Sequence, residues 1–189
     1  MIGVLALQGN FVSHIEILNK IGIDSRLVKN SQDLSDLNGL ILPGGESTTM
    51  SNLLLRDQSF VDAIKSFSDS KPIFGTCAGL ILMSKNSFDK KVLNMDILDI
   101  EVSRNAYGRQ VHSFEDSITL ESKEDNSRLI KASFIRAPKI TSIGKNVKVL
   151  CKHNNEIVGV KQGIHMAVTC HPELQNEVLL HELCFKNSV

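Results

Sequence analysis

The chain has 189 residues, of which 42% are hydrophobic and 22% charged, and its 21 basic and 21 acidic residues give a formal net charge of zero. This length and composition predict one globular domain, residues 1–189, with a substantial hydrophobic core. The balanced charge predicts neither a nucleic-acid partner nor an anionic membrane surface as partner, and no apolar run is long enough to span a bilayer.

The cysteines and the N-terminal segment indicate the compartment. Cys77, Cys151, Cys170 and Cys184 show no close paired spacing, and "MIGVLALQGN" has no basic region of the kind that begins a signal peptide. Free thiols in a reducing compartment are therefore predicted, and we expect a cytoplasmic protein.

Strands and helices alternate in the first half of the chain. Continuous apolar runs predict buried strands, and apolar residues at helical spacing predict helices. In chain order these are a strand at 2–7, a helix at 11–21, strands at 25–28 and 39–42, one or two helices within 47–67, a strand at 72–74 and a helix at 78–85. This order predicts parallel strands with helices on both faces.

The second half is richer in strands. Strand-like segments occupy 99–102, 133–136, 147–151, 157–161 and 165–170, and an amphipathic helix at 177–185 follows them. The predicted fold class is therefore α/β, with a mostly parallel central sheet flanked by helices and an added antiparallel portion in the C-terminal half.

The stretch "KPIFGTCAGLILM" places Cys77 on a corner between a predicted strand and a predicted helix, among small residues. The segment "GTCAG" has the Gly-x-nucleophile-x-Gly form of a strand-to-helix elbow. In open α/β sheets, ligands bind at the carboxyl ends of strands, and the N–H of Ala78 could meet a developing oxyanion there. The alternative is that Cys77 packs as a small buried hydrophobic residue.

The stretch "TCHPEL" ends another apolar strand and supplies His171 and Glu173. A thiolate nucleophile needs a base, and the base needs an orienting partner, so these two side chains could complete a triad with Cys77. Taken alone, the pair is more typical of an exposed loop. Only sheet topology could bring His171 close to Cys77, because they lie far apart in the chain.

A third stretch, "PGGESTT", follows the strand predicted at 39–42. Gly44 and Gly45 free the backbone to approach a ligand or to form an anion-binding nest. Ser47 or Thr48 can cap the helix that follows. The alternative is a tight turn that leads into a capped helix and binds nothing.

Together these stretches resemble the class I, triad-type glutamine amidotransferases. The segments "LALQGN", "LILPGGESTTM", "SRNAYGRQVHSFE" and "FIRAP" also occur in the order and spacing of one subfamily, the glutaminase subunits of pyridoxal 5′-phosphate synthases. The resemblance covers nearly the whole chain. It implies a flavodoxin-like α/β fold and hydrolysis of the side-chain amide of L-glutamine to L-glutamate and ammonia through a thioester.

The resemblance also implies residue roles: Cys77 is the nucleophile, His171 the general base and Glu173 the orienting carboxylate. The implied glutamine contacts are Gly45, Glu46, Ser47, Arg104, Ile135 and Arg136, and the implied oxyanion hole is formed at Gly45 and Ala78. Paired guanidinium N–H donors suit the carboxylate of free glutamine, and the Glu46 carboxylate suits its ammonium group.

A partner is implied as well. The chain has no Rossmann or P-loop motif of its own, so a separate subunit must use the ammonia. By resemblance that subunit is a (β/α)₈-barrel synthase in a large hetero-oligomer for pyridoxal 5′-phosphate (vitamin B6) biosynthesis, and the glutaminase needs no cofactor and no metal. Gln8, after the first strand, is a candidate for sensing docking, and a capped loop residue is the alternative.

The sequence departs from the subfamily at Tyr107, where phenylalanine is usual, and at His112, where an acidic residue is common. Both departures bear on partner contacts more than on the triad. His14, His153 and His165 belong to no constellation that the sequence alone identifies.

Three other functions stay open: a glutaminase serving histidine or tryptophan synthesis, a non-catalytic subunit that binds glutamine or the synthase, and a zinc site. The segments "GGESTT" and "RNAYGRQ" argue against the first, and the intact triad argues against the second. The zinc ligands would be Cys170, His171, His181 and Cys184. Adjacent residues of a strand point to opposite faces, which argues against Cys170 and His171 as joint ligands.

Overall fold

The first half of the chain alternates strands with helices, as its sequence predicts. The computed structural model describes residues 1–104, 113–121 and 127–186. Its first elements are β1 (Ile2–Leu5), α1 (Phe11–Lys20), β2 (Ser25–Val28), a 3₁₀ turn (Ser31–Leu34), β3 (Gly39–Leu42), α2 (Ser47–Leu54), α3 (Gln58–Ser68), β4 (Ile73–Thr76) and α4 (Ala78–Met83).

Strands dominate the second half. Its elements are β5 (Ser84–Asn86), β6 (Leu98–Ser103), β7 (Phe114–Leu120), β8 (Arg128–Phe134), β9 (Lys139–Ile143), β10 (Lys148–His153), β11 (Glu156–Gln162), β12 (His165–Val168), a 3₁₀ turn (Pro172–Gln175) and α5 (Leu179–Phe185). Within the described ranges, no helix combines the length and the hydropathy needed to cross a membrane.

The described strands form a large sheet in the order β2-β1-β3-β4-β12-β11-β10-β7-β8 and a small sheet in the order β5-β6-β9. The first five strands of the large sheet pair in parallel, and those from β12 onward pair antiparallel. The parallel part has the flavodoxin-like strand order. The predicted α/β class, with an antiparallel addition in the C-terminal half, is confirmed.

Both faces of the parallel strands are buried, which explains their continuous apolar runs. In β3, Leu40 and Leu42 pack towards α2, α3 and α4, whereas Ile41 joins the opposite cluster with Leu18 of α1 and Phe185 of α5. All four cysteines are buried free thiols, so the prediction of unpaired thiols is confirmed.

Several predicted boundaries are wrong. The helix predicted at 78–85 ends at Met83, because the Ser84 hydroxyl donates to the Ile81 carbonyl (2.7 Å) and the chain then enters β5. The strand predicted at 133–136 ends at Phe134, and Arg136 has a φ of 45° that is incompatible with a strand.

Candidate active site

The corner at Cys77 is a strained turn between β4 and α4. Cys77 has a φ of 46° and a ψ of −100°, and its N–H donates to the Val168 carbonyl of β12 (2.9 Å). A Cβ on Gly75 would lie 2.6 Å from Met83 Sδ, and a Cβ on Gly79 would collide with the carbonyl oxygen that ends β3. The two glycines that flank Cys77 are therefore required by the close packing of α4 against β4 and β3.

His171 follows β12, the strand next to β4. It exchanges two backbone hydrogen bonds with Ser133 near the end of β8: its N–H donates to the Ser133 carbonyl (2.8 Å), and the Ser133 N–H donates to its carbonyl (3.1 Å). Because Val168 of β12 pairs in parallel with Thr76 of β4, the two carboxyl ends lie at one edge of the sheet. The structure thus brings Cys77 and His171 to the same cavity.

Glu173 lies behind the imidazole. His171 Nδ1 is 2.8 Å from Glu173 Oε1, which leaves Nε2 of the ring for the sulfur of Cys77. Glu173 is only 3% exposed, and the 3₁₀ turn that carries it begins at Pro172. A Cβ on Gly44 would collide with the imidazole, so the glycine leaves the space that the ring fills.

Electrostatics favour a charged pair. Burial alone would lower the pKa of His171, but hydrogen bonds to Cys77 and Glu173, with the charges on both, raise it to about 10. Burial would raise the pKa of Glu173, yet the neighbouring imidazole of His14 and the hydrogen bond and charge of His171 hold it below its ordinary value. With the Cys77 sulfur as a thiolate, the pair is therefore imidazolium and carboxylate at neutral pH.

The cavity in front of this pair has a volume of about 400 Å³. Every residue predicted to contact glutamine lines it: Gly45, Glu46, Ser47, Arg104, Ile135 and Arg136. The Cys77 thiol lies 3.9 Å from the Ile135 carbonyl, to which it donates. Ala78, directly after Cys77, is 1% exposed, so only its backbone could face a ligand.

The guanidinium of Arg104 has several partners at the rim. Nη1 pairs with the Asp89 carboxylate, and Nη2 donates to Thr48 Oγ1 (3.0 Å) and lies 3.7 Å from Glu46 Oε1. Sequence reasoning missed Asp89, because nothing in the polar segment around it marks an arginine partner 15 residues away. Tyr107 and His112 lie outside the described residues.

The turn "PGGES" is held from the first strand. Gln8 Oε1 accepts a hydrogen bond from the Glu46 N–H (2.8 Å), and Gly9, with a φ of 99°, packs so closely on the Gly44 carbonyl that a Cβ would collide with it. The prediction that Ser47 or Thr48 caps α2 is wrong, because Glu46 is the N-cap and its carboxylate reaches the Thr49 N–H (3.4 Å). A role for Gln8 in docking stays a prediction.

The zinc alternative finds no support in the part of the chain that the structure describes. No group of three or more histidine, cysteine, aspartate or glutamate side chains there could hold a metal ion. The ring of His181 contacts His14, 2.9 Å away, and the ring of His171 contacts Glu173.

Comparisons with known proteins agree with the geometry. Residues 4–189 match the model of the SNO glutamine amidotransferase family. Pyridoxal 5′-phosphate synthase subunit PdxT of Desulforamulus reducens is 44% identical, over 96% of this chain and 96% of that protein. Its counterpart in Oenococcus oeni is 45% identical, over 98% and 95%.

A crystal structure of a glutamine amidotransferase superposes with a TM-score of 0.90 at 37% identity, covering 99% of this chain and 98% of that one. The resemblance recognised in the sequence motifs is thereby confirmed. The chain belongs to the SNO glutamine amidotransferase family.

Proposed function

We propose that this chain hydrolyses the side-chain amide of L-glutamine and delivers the ammonia to a pyridoxal 5′-phosphate synthase. The observation that carries the proposal is the buried set of Cys77, His171 and Glu173, in which Cys77 and His171 line one cavity and Glu173 contacts His171 from behind. The names of the relatives favour this synthase over histidine or tryptophan synthesis as the destination of the ammonia.

The first chemical step forms a thioester. The imidazole of His171 takes the proton of the Cys77 thiol, and the resulting thiolate attacks the side-chain carbonyl carbon of glutamine. The backbone N–H groups of Gly45 and Ala78 would stabilise the oxyanion that forms. The hydrogen bond to Cys77 and the charge of its thiolate help to raise the pKa of His171 to about 10, so the imidazole keeps this proton at neutral pH. It therefore donates its proton to the nitrogen as the C–N bond breaks, and ammonia leaves.

The second step hydrolyses the thioester. Once acylated, the sulfur carries no charge, so one of the influences that raise the pKa of His171 is gone. The neutral imidazole can then take a proton from a water molecule that attacks the thioester carbonyl, which releases glutamate and returns the sulfur. Glu173 keeps the ring oriented in both steps through the 2.8 Å contact at Nδ1.

Substrate recognition follows from the charges at the rim. A cavity of about 400 Å³ lies within the usual range for small-molecule sites. Glutamine carries a carboxylate, which suits the guanidinium groups of Arg104 and Arg136, and an ammonium group, which suits Glu46. The contacts that now occupy Arg104 would rearrange when the substrate carboxylate arrives.

The ammonia must reach an acceptor before it becomes ammonium in bulk water, because ammonium is not nucleophilic. We therefore propose that this glutaminase domain, residues 1–189, docks on a (β/α)₈-barrel synthase subunit in a cytoplasmic hetero-oligomer. The relatives are themselves named as subunits of such a synthase, which supports the docking proposal.

The deciding experiment measures glutamate release from L-glutamine by the wild type and by Cys77→Ala, each with and without the synthase subunit. We expect Cys77→Ala to lose activity by about a thousandfold or more. Cys184→Ala is the matched control, because Cys184 is a buried free thiol on α5. Glutamine hydrolysis by Cys77→Ala would contradict the mechanism. Glutamate release at the same rate with and without the synthase subunit would contradict the proposed coupling between the two subunits.

A further inference from the structure

A chain of buried polar side chains continues behind Glu173, on the side away from the cavity. It consists of His14 on α1, Thr76 at the end of β4 and His181 on α5, and each of the three is 0% exposed. His14 Nε2 lies 3.2 Å from Thr76 Oγ1 and 3.6 Å from Glu173 Oε1. The other ring nitrogen of His14, Nδ1, lies 2.9 Å from His181 Nε2.

Both imidazoles are neutral at neutral pH. Burial lowers the pKa of His14, and although the charge of Glu173 raises it, the charge of His171 lowers it further. Burial lowers the pKa of His181 well below its ordinary value, and His14 adds to that effect. A neutral imidazole donates from one nitrogen and accepts at the other, so the tautomers decide the direction of each contact.

Two arrangements are possible. In one, His181 Nε2–H donates to His14 Nδ1, and His14 Nε2–H points at Thr76 and Glu173. In the other, His14 Nδ1–H donates to His181, and the Nε2 lone pair of His14 accepts from the Thr76 hydroxyl while facing the Glu173 carboxylate 3.6 Å away. The second also leaves a proton on His181 Nδ1, a buried atom that has no hydrogen-bond partner among the described residues.

A buried donor without a partner loses its hydrogen bonds to water and gains none in the folded protein, which is unfavourable. A lone pair that faces a carboxylate oxygen is repelled by it. The first arrangement avoids both penalties, because the orphan atom is then only an acceptor. Phe74 fixes the two rings from the sheet side, with its ring edge-on to His181 at 5.1 Å and to His14 at 6.4 Å between centroids.

Glu173 depends on this donor. Burial disfavours its charge, and its Oε2 has no partner among the residues that the structure describes. Oε1 makes a hydrogen bond with His171 Nδ1 at 2.8 Å, and His14 Nε2 lies 3.6 Å from the same oxygen, close enough for an electrostatic contact with the carboxylate. Losing the N–H group of His14 would make the charged form of the Glu173 carboxylate less stable, and this carboxylate orients the His171 ring.

We propose that His14 is a positioning residue for the triad: its Nε2–H, set by His181, keeps Glu173 charged and aimed at His171. His14 acts only through Glu173 and touches neither the cavity nor the substrate. Its effect on turnover rests on the glutaminase function proposed above, whereas its effect on His171 does not.

The test compares His14→Leu, which removes the donor, with His14→Gln, whose amide can donate from about the same place. NMR titration should show that His14→Leu lowers the pKa of His171 by about one unit or more. With glutamine, we expect kcat/KM to fall about tenfold through kcat, and His14→Gln to recover most of the loss. The proposal would be overturned if His14→Leu matched the wild type, or if His14→Gln were as impaired as His14→Leu.

Even if His14→Leu does not fold, a measurement on the wild type shows which ring nitrogen of His14 carries the proton. Correlation spectra of ¹⁵N-histidine-labelled protein should show His14 protonated at Nε2 only, and a proton on Nδ1 of His14 would refute the arrangement. Both the tautomer and the titration of His171 can be read without glutamine. A wild type that fails to hydrolyse glutamine would thus defeat the proposed function while leaving the role of His14 to be decided separately.

Discussion

The two walls of the cavity are built differently. On the inner wall, Cys77 and His171 are each 6% exposed and Glu173 is 3% exposed. Backbone hydrogen bonds tie Cys77 to β12 and His171 to β8. On the rim, the side chains of Glu46 and Arg104 are 48% and 18% exposed, and the contacts that fix Arg104 come from other side chains.

This contrast separates chemistry from recognition. Charges in a buried setting interact strongly and cannot exchange partners with water, so the inner wall is arranged before substrate arrives. Charges at the rim are screened and can change partners at little cost. We therefore expect substitutions on the inner wall to change kcat by large factors and substitutions on the rim to change KM by small ones.

Among substitutions that leave Cys77, His171 and Glu173 unchanged, the largest effect is expected for Gly44→Ala. Its Cβ would collide with the His171 imidazole, and because the φ of Gly44 is not positive, the backbone itself tolerates alanine. Displacing the ring should lower kcat about a hundredfold, measured as glutamate release in the presence of the synthase.

Gly163→Ala provides the control for that substitution. Its Cβ would meet nothing within 4 Å, but its φ is 57°, so we expect a loss of stability of about 1 kcal/mol without loss of activity. A Gly44→Ala variant with wild-type kcat would show that the inner wall is more adaptable than its packing indicates.

Alkaline pH should have the next largest effect. The first step needs a protonated His171, so kcat should fall as pH rises through about 10. The folded-state pKa of this residue is raised above its ordinary value of 6.5, so its contribution to stability is complete below pH 6.5 and is lost as the pH rises to about 10. Urea unfolding at several pH values measures that loss.

Glu173→Gln tests the cause of this pH dependence. The amide removes the charge and the carboxylate acceptor that raise the pKa of His171, so the alkaline limb should move to lower pH. If kcat of Glu173→Gln falls at the same alkaline pH as that of the wild type, Glu173 does not control the pKa of His171.

A smaller effect is expected at the rim, from Asp89→Asn. Asp89 occupies Nη1 of Arg104, which the substrate carboxylate would need for a paired contact. Weakening this competition should lower KM for glutamine about threefold and leave kcat unchanged. A rise in KM would instead identify Asp89 as the residue that positions Arg104 for binding.

The smallest effect is expected from Asp99→Asn, which is the matched control for Asp89→Asn. Asp99 forms an exposed pair with Lys85 at 2.9 Å, and their side chains are 46% and 55% exposed. Both KM and the urea midpoint should stay within error of the wild-type values, because exposed pairs contribute little.

The inner wall was largely predictable from sequence, whereas its supports were not. Apolar runs that end in "GTCAG" and "CHPEL" mark the carboxyl ends of parallel strands, and these ends meet at one edge of a sheet. The antiparallel strand β7 was missed, because Phe114, Glu115 and Asp116 are exposed and carry no apolar run. Strand β9, on the small sheet, was missed as well.

His14 illustrates why the remaining supports were missed. It lies on the buried face of α1 beside Ile17 and Leu18, where a histidine is indistinguishable by spacing from one that merely fills the core. Its partners come from β4, the turn after β12 and α5, and no local pattern links such distant segments. A histidine at a helical core position was the one available signal.

The paired backbone hydrogen bonds between Ser133 and His171 have a consequence for the architecture. They fasten His171 to the far, antiparallel end of the large sheet. A shortened protein that kept only the parallel strands would retain Cys77 but lose the anchor of His171, its proposed proton donor. In this protein the accessory strands and the reaction cannot be inherited, or engineered, independently.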